Sequence, residues 1–339
     1  MSSGGASSST ELMSPPDHAS ARPAPSRSTK SLLITAAKLA LTIAILAAVT
    51  FAIKSQWTQV RTTFSELNWF AVVGSAGLLA LGMGAAVRAW QHVLAELGKP
   101  IPAVDAGRFY LVGQLGKYLP GSVWAFVLQM ELARRAGVPR ATGFVGVLVT
   151  VGLSTTSALV VGLFGLPAVF AYSPLIAWII IAMVPLALLC AYPPVLTGIV
   201  NRVLRVLRRS PLPHRLTFRG IAPAIGWCAV SWMLYGVHLW LLASSLAVPG
   251  ASGLVECIGA MSLAMTAGVL AVVAPSGIGV REAVIVAALT PYMDAGRALG
   301  LALASRLVFT VTEVAASGLA ALSGAMELRK KRSESVARP

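Results

Sequence analysis

Three observations predict an all-α polytopic membrane helix bundle. Hydrophobic residues make up 56% of the 339 and charged residues only 12%, with a mean hydropathy of +0.78, a composition that suits a membrane class rather than a soluble domain. Apolar runs of about 20 residues, the length a spanning helix needs, recur between short polar connectors. The formal charge of +15 sits mainly in the connectors and tails.

Residues 1–30 are rich in Ser, Pro and Ala. They bury too little surface to offset the entropy of ordering, so a disordered cytoplasmic tail is expected. This stretch is too long and proline-rich to be the n-region of a cleaved signal. A membrane domain is expected over 31–327, with full spans at 32–53, 69–91, 142–171, 174–198, 220–247 and 298–325, followed by a basic cytoplasmic tail at 328–339.

Six crossings put both termini on one side. Arg202, Arg205, Arg208, Arg209, Arg215 and Arg219 fill one connector, and Arg329, Lys330, Lys331 and Arg332 follow the last span. The positive-inside rule therefore places both termini in the cytoplasm of a plasma-membrane protein, with connectors 92–107 and 199–219 inside and 171–174 and 248–253 outside. Lys54 and Arg61 are a modest exception in an outer loop.

Two apolar segments do not fit as simple spans. A full crossing by 110–129 would leave Arg134, Arg135 and Arg140 outside; a re-entrant hairpin from the cytoplasmic face, broken at Leu119-Pro120-Gly121-Ser122, removes the conflict. The segment 254–291 is interrupted at 275–282, and its second arm, 283–289, is too short to cross. A hairpin from the outer face is expected. The fold is thus about six spans plus two re-entrant broken hairpins from opposite faces. Broken backbone at membrane depth survives only against protein or a water-filled cavity, so a polar cavity is expected between the breaks.

The candidate substrate-binding residues cluster at these breaks. In the first, Arg108, Gln114, Lys117, Tyr118, Pro120 and Gly121 come close in sequence; Arg108, Lys117 and Tyr118 either hold a phosphate or, for the two cations, snorkel to headgroups from a shallow hairpin, with Tyr118 and Trp124 as interfacial anchors. In the second, Pro275, Ser276, Gly277 and Gly279 free backbone amides for an anion nest, Arg281 adds a fixed charge, and Glu282 either pairs with it or accepts a proton or a cationic headgroup. Arg306 and Glu313 lie seven apart on one face of the last span, with Thr310 between. Arg88 is expected to snorkel, Glu131 and Glu256 to lie at interfaces, and Gly74, Gly77, Gly162 and Gly165 to mark close packing.

Other classes have less support. No aromatic residues interleave with the basic clusters, so nucleic acid is not an expected partner. Cys190, Cys228 and Cys257 lie in or beside apolar runs, and His18, His92, His214 and His238 are scattered; no metal, cofactor or catalytic residue is expected.

The stretches Gly116-Lys117-Tyr118-Leu119-Pro120-Gly121-Ser122-Val123-Trp124 and Pro275-Ser276-Gly277-Ile278-Gly279-Val280-Arg281-Glu282 resemble the lysylphosphatidylglycerol synthase transmembrane-region family, a flippase-like membrane domain, over roughly 32–327. The best-known members carry a cytosolic aminoacyl-transferase after this domain, whereas here the sequence ends shortly after Arg332. The resemblance implies movement of a phospholipid or lipid-linked precursor between leaflets without its synthesis, with no enzyme activity. Its partners would be a membrane lipid with an anionic or phosphate-bearing headgroup, a separate lipid-synthesising enzyme, and, through self-association, other copies of the chain. Lower-ranked alternatives are a membrane-embedded enzyme on lipid phosphates and a non-transporting accessory subunit of envelope synthesis. No GxxxxGK[ST] motif is present, so movement would be passive or coupled to an ion gradient through Glu282 or Glu313.

Overall fold

Helices form where the apolar runs are continuous and stop where proline, glycine or a capping side chain intervenes. The computed structural model describes residues 54, 57–118, 124–212, 214–246, 250–270, 277 and 279–336, which fall within one unit, Ala40–Pro339. The expected tail 1–30, the expected span 32–53 and the break at Leu119-Pro120-Gly121-Ser122 lie outside them.

The helices are α1 (Trp57–Glu66), α2 (Trp69–Glu96), α3 (Ala103–Gln114), α4 (Trp124–Arg135), α5 (Arg140–Gly162), α6 (Leu166–Tyr172), α7 (Pro174–Ala191), α8 (Pro193–Val206), α9 (Phe218–Ser244), α10 (Gly250–Leu270), α11 (Val280–Leu289) and α12 (Ala295–Val336). Short 3-10 turns follow α3 (Leu115–Tyr118) and α5 (Leu163–Gly165). No strand occurs among the described residues.

Among the described residues, six helices are long and apolar enough to cross a membrane: Trp69–Glu96, Arg140–Tyr172, Pro174–Ala191, Phe218–Ser244, Gly250–Val269 and Ala295–Ser323. The protein is an all-α polytopic bundle. Five of the six correspond to expected spans. The sixth, α10, was expected as one arm of the outer hairpin; its 21 residues reach about 31 Å, enough to cross on their own. By contrast α11, with 10 residues, reaches only about 15 Å.

The expected span 174–198 is cut short. Pro193 and Pro194 open a new helix, because a proline at a first turn loses no intrahelical bond whereas in a helix interior it would, and α8 turns off with Tyr192 in extended backbone. Along α8, Leu196, Val200 and Leu204 are buried while Arg202 and Arg205 are exposed, an amphipathic pattern rather than a spanning one.

Capping ties the ends together. Asn68 caps α2 by accepting from the Phe70 amide at 2.8 Å. At the other end of α2, Glu96 Oε1 accepts from the Thr217 amide at 2.8 Å and hydroxyl at 3.0 Å, and Thr217 in turn caps α9 through the Gly220 amide. The most extensive helix contact is between α2 and α9. A core through Leu79, Leu239, Met261, Ile285 and Leu301 joins α2, α9, α10, α11 and α12. Leu175, Trp178 and Leu186 on α7 are 60% or more exposed, as lipid-facing side chains are.

Where lipid surrounds a bundle, close packing rather than the hydrophobic effect holds helices together, and small residues permit it. Gly162 packs on Leu263 and Gly165 on the backbone of Gly259, while Gly74 meets only Leu241 and Gly77 faces open space. The packing expectation holds for the second glycine pair far more strongly than for the first.

Candidate functional site

The first broken element is built from α3, its 3-10 turn and α4. Pro102 precedes α3, and Asp105 in its first turn favours the positive end of the helix dipole. Arg108 Nη2 donates to Asp105 Oδ1 at 2.9 Å, so this arginine is engaged one turn back along its own helix. It does not line the cavity described below.

Two glycines bring the arms together. A Cβ on Gly113 would lie 2.8 Å from Gln129 Cβ, and one on Gly116 would lie 2.6 Å from the Trp124 carbonyl and the Ala125 amide nitrogen. The neighbouring atoms at Gly116 are backbone and cannot rotate away. A Gly116→Ala substitution is therefore expected to lower stability by about 1–3 kcal/mol, read as a fall in the thermal midpoint in detergent; an unchanged midpoint would mean that the arms are not in contact.

Lys117 follows directly, and Tyr118 is the last residue of the turn. Lys117 Nζ donates to Glu313 Oε1 at 2.6 Å and lies 5.4 Å from the centroid of the Phe309 ring. A second tie runs from Ser317 Oγ to the Leu111 carbonyl at 2.8 Å. The hairpin is thus fastened to α12 twice.

In the second broken element Gly277 and Gly279 have φ of +66° and +86°, a region that side chains disfavour. Gly277 also needs to lack a side chain, since a Cβ there would lie 2.6 Å from Gly268 Cα on α10. Gly279 caps α11, and its amide donates to Glu282 Oε2 at 2.7 Å, so one amide of the expected nest is already engaged. Pro120, Gly121, Pro275 and Ser276 lie outside the described residues.

Glu282 does not pair with its neighbour Arg281. Its other oxygen accepts from Arg306 Nη1 on α12. Arg281, 6% exposed, reaches Ser305 Oγ at 3.4 Å, and its guanidinium lies 5.0 Å from the centroid of the Phe309 ring. Ser305 Oγ is also 2.9 Å from His238 Nε2. Sequence reasoning missed His238, Ser305 and Phe309: an isolated His, Ser or Phe in an apolar run carries no local signal of which neighbour it will meet.

The two elements and α12, together with α2, α5, α9 and α10, line a cavity of about 320 Å³. Gln114 and Lys117 line it from the first element, Arg281 from the second, and Arg306, Thr310 and Glu313 from α12. Tyr110, Thr150 and Ser231 add polar groups. Lys117, Arg281 and Arg306 face the carboxylates Glu282 and Glu313, three cations against two anions among the described residues. The two ion pairs to α12 are reversed in sense: the first element brings the cation to Glu313, and the second brings the carboxylate to Arg306.

No group of His, Cys, Asp and Glu able to hold a metal occurs among the described residues. The family model described as lysylphosphatidylglycerol synthase TM region matches residues 36–316. No curated protein matches the chain.

Proposed function

This chain belongs to the lysylphosphatidylglycerol synthase TM-region family, and from that premise we propose that it moves a phospholipid or lipid-linked precursor between the leaflets of the plasma membrane. The observation that carries this reading is the cavity that both broken elements reach, with Lys117, Arg281 and Arg306 on its wall. Ionisable groups inside a membrane bundle are costly, and their convergence on one cavity supports a use for them. In this reading the first break is a re-entrant hairpin from the cytoplasmic face, α11 is a half-helix that follows the spanning α10, and a separate enzyme makes the lipid.

The headgroup passes through the cavity while the acyl chains stay in the bilayer. Glu313 and Glu282 hold Lys117 and Arg306, which spares each cation a solitary burial. An arriving phosphodiester takes over those cations, and charge-assisted hydrogen bonds to its oxygens replace those to the carboxylates. A carboxylate released in this exchange is free to take a proton. Movement is then passive, or coupled to an ion gradient through Glu282 or Glu313. No catalytic step is part of the proposal.

The test is a liposome assay of leaflet exchange with a panel of fluorescent phospholipids. Lys117→Gln and Arg281→Gln are each expected to slow the exchanged lipid by about tenfold or more, the value of one charged hydrogen bond. Exchange that neither substitution changes would overturn the cavity route, and no exchange across a broad panel would favour an accessory role.

A further inference from the structure

A second concavity, of about 460 Å³, shares no lining residue with the cavity above. It lies where α4, the first two turns of α5 and the end of α8 meet. Val127, Met130, Phe144, Leu204 and Leu207 form its apolar walls, and Glu131, Arg140 and Arg209 its polar part. Its volume falls within the range of about 300–1,000 Å³ typical of small-molecule sites.

The polar end is positive. Arg134 donates to both oxygens of Glu131, at 2.9 and 2.7 Å; that hydrogen bonding, with the charges of Arg140 and Arg135 adding to it, holds the Glu131 carboxyl well below its ordinary range. Glu131 is therefore ionised but already neutralised by Arg134. Arg140 stands 3.7 Å from it and is largely exposed, and Arg209 has no ion-pair partner among the described residues. The first turn of α5, which supplies Arg140 and Ala141 to the groove, has no side-chain cap, so its free amides add positive potential.

The backbone at the end of α8 supports the same reading. Arg208 has φ of 54°, the only non-glycine residue with positive φ among the described residues, at the position where glycine normally ends a helix. The Arg209 amide donates back to the Leu204 carbonyl at 2.8 Å. This disfavoured turn anchors the Arg209 backbone beside Leu204 and Leu207, at the junction of apolar wall and basic rim.

We propose that this groove binds an anionic phospholipid of the leaflet facing the arginine-rich connector, its phosphate between Arg140 and Arg209 and one acyl chain along Met130, Phe144 and Leu204. Charge complementarity decides the occupant. A zwitterionic lipid offers the arginines no net charge, and a soluble anion leaves the apolar walls unfilled. The bound lipid would pin α8, an amphipathic helix with Val206 and Leu207 exposed, to the membrane surface.

The test uses the full chain in nanodiscs containing equal amounts of phosphatidylglycerol and phosphatidylcholine, with retained lipid identified by native mass spectrometry. Wild type is expected to retain phosphatidylglycerol over phosphatidylcholine by about tenfold or more, as two membrane-surface arginines would provide. The double variant Arg140→Gln/Arg209→Gln is expected to lose the preference, and Arg140→Lys/Arg209→Lys to keep most of it, with unchanged thermal midpoints in both. Equal retention of the two lipids by wild type, or an undiminished preference in the glutamine variant, would overturn the proposal. Displacement of the lipid by glycerophosphoglycerol at matched concentration would show that the apolar walls contribute nothing, and would overturn it too.

Discussion

Glu313→Gln is expected to destabilise the detergent-solubilised protein by about 3 kcal/mol, because removing one member of a buried ion pair leaves the other cation uncompensated. Glu313 is nearly inaccessible, and the Lys117 side chain is 28% exposed, so solvent relieves only part of that cost. At a few degrees per kcal/mol, the thermal midpoint should fall by about 6–10 °C. Lys117→Met alone should cost less, since Glu313 then keeps the positive field of Arg281 and Arg306, whereas a lysine left without Glu313 stands beside the same two cations. The double variant Lys117→Met/Glu313→Gln should recover much of the loss, since no charge is then stranded. Thermal denaturation of all four proteins gives the coupling energy directly. Additive effects would mean that the pair does not hold the first broken element to α12.

The expected transport defects follow from the same geometry. Lys117 is fixed by a 3-10 turn on one side and by Glu313 on the other, so loss of Glu313 frees the cation without removing it. Exchange in Glu313→Gln should therefore fall less than in Lys117→Gln. The position whose loss costs more stability, Glu313, is thus the one whose loss costs less transport, which separates a binding role for the lysine from a structural one.

Much of this site was legible because charge inside an apolar run has few explanations. Lys117, Arg281, Glu282, Arg306 and Glu313 stand out against their segments, and glycine or proline beside the first three marks broken backbone. The spacing of Arg306 and Glu313 put both on one helical face, and both line the cavity. Pairing was not legible. Arg281 and Glu282 are adjacent in sequence, yet neighbours on a helix point about 100° apart, and only the placement of α12 shows that Glu282 meets Arg306. His238 and Ser305 are 67 residues apart, beyond any local pattern. The Asp105–Arg108 pair, by contrast, has i,i+3 spacing and was open to sequence reading. The prolines that end α7 were equally visible, and the expected span ran through them only because hydropathy continues beyond that point.

Gly259→Ala is expected to disturb the fold more than a methyl added at Gly113 or Gly116. Its Cβ would lie 2.0 Å from the Gly165 nitrogen and 2.4 Å from Gly165 Cα, and backbone atoms on both sides leave no rotamer to relax. The helices must separate. Overpacking commonly costs about 1–3 kcal/mol where side chains can shift, so the upper end or beyond is expected where they cannot. Gly236, whose Cβ would lie 2.2 Å from Ile258 Cα, should behave alike. Gly77, exposed on α2 with nothing within 4 Å of an added Cβ, is the control: alanine there should stabilise by about 0.5–1 kcal/mol through helix propensity alone. Because α10 also carries Met265 and Thr266 into the cavity wall and presses Gly268 against Gly277, moving it shifts the turn that orients Arg281. Gly259→Ala should thus lower both the thermal midpoint and lipid exchange, and Gly77→Ala should lower neither. Equal midpoints in the two variants would show that the crossing of α10 over the end of α5 is looser than its glycines require.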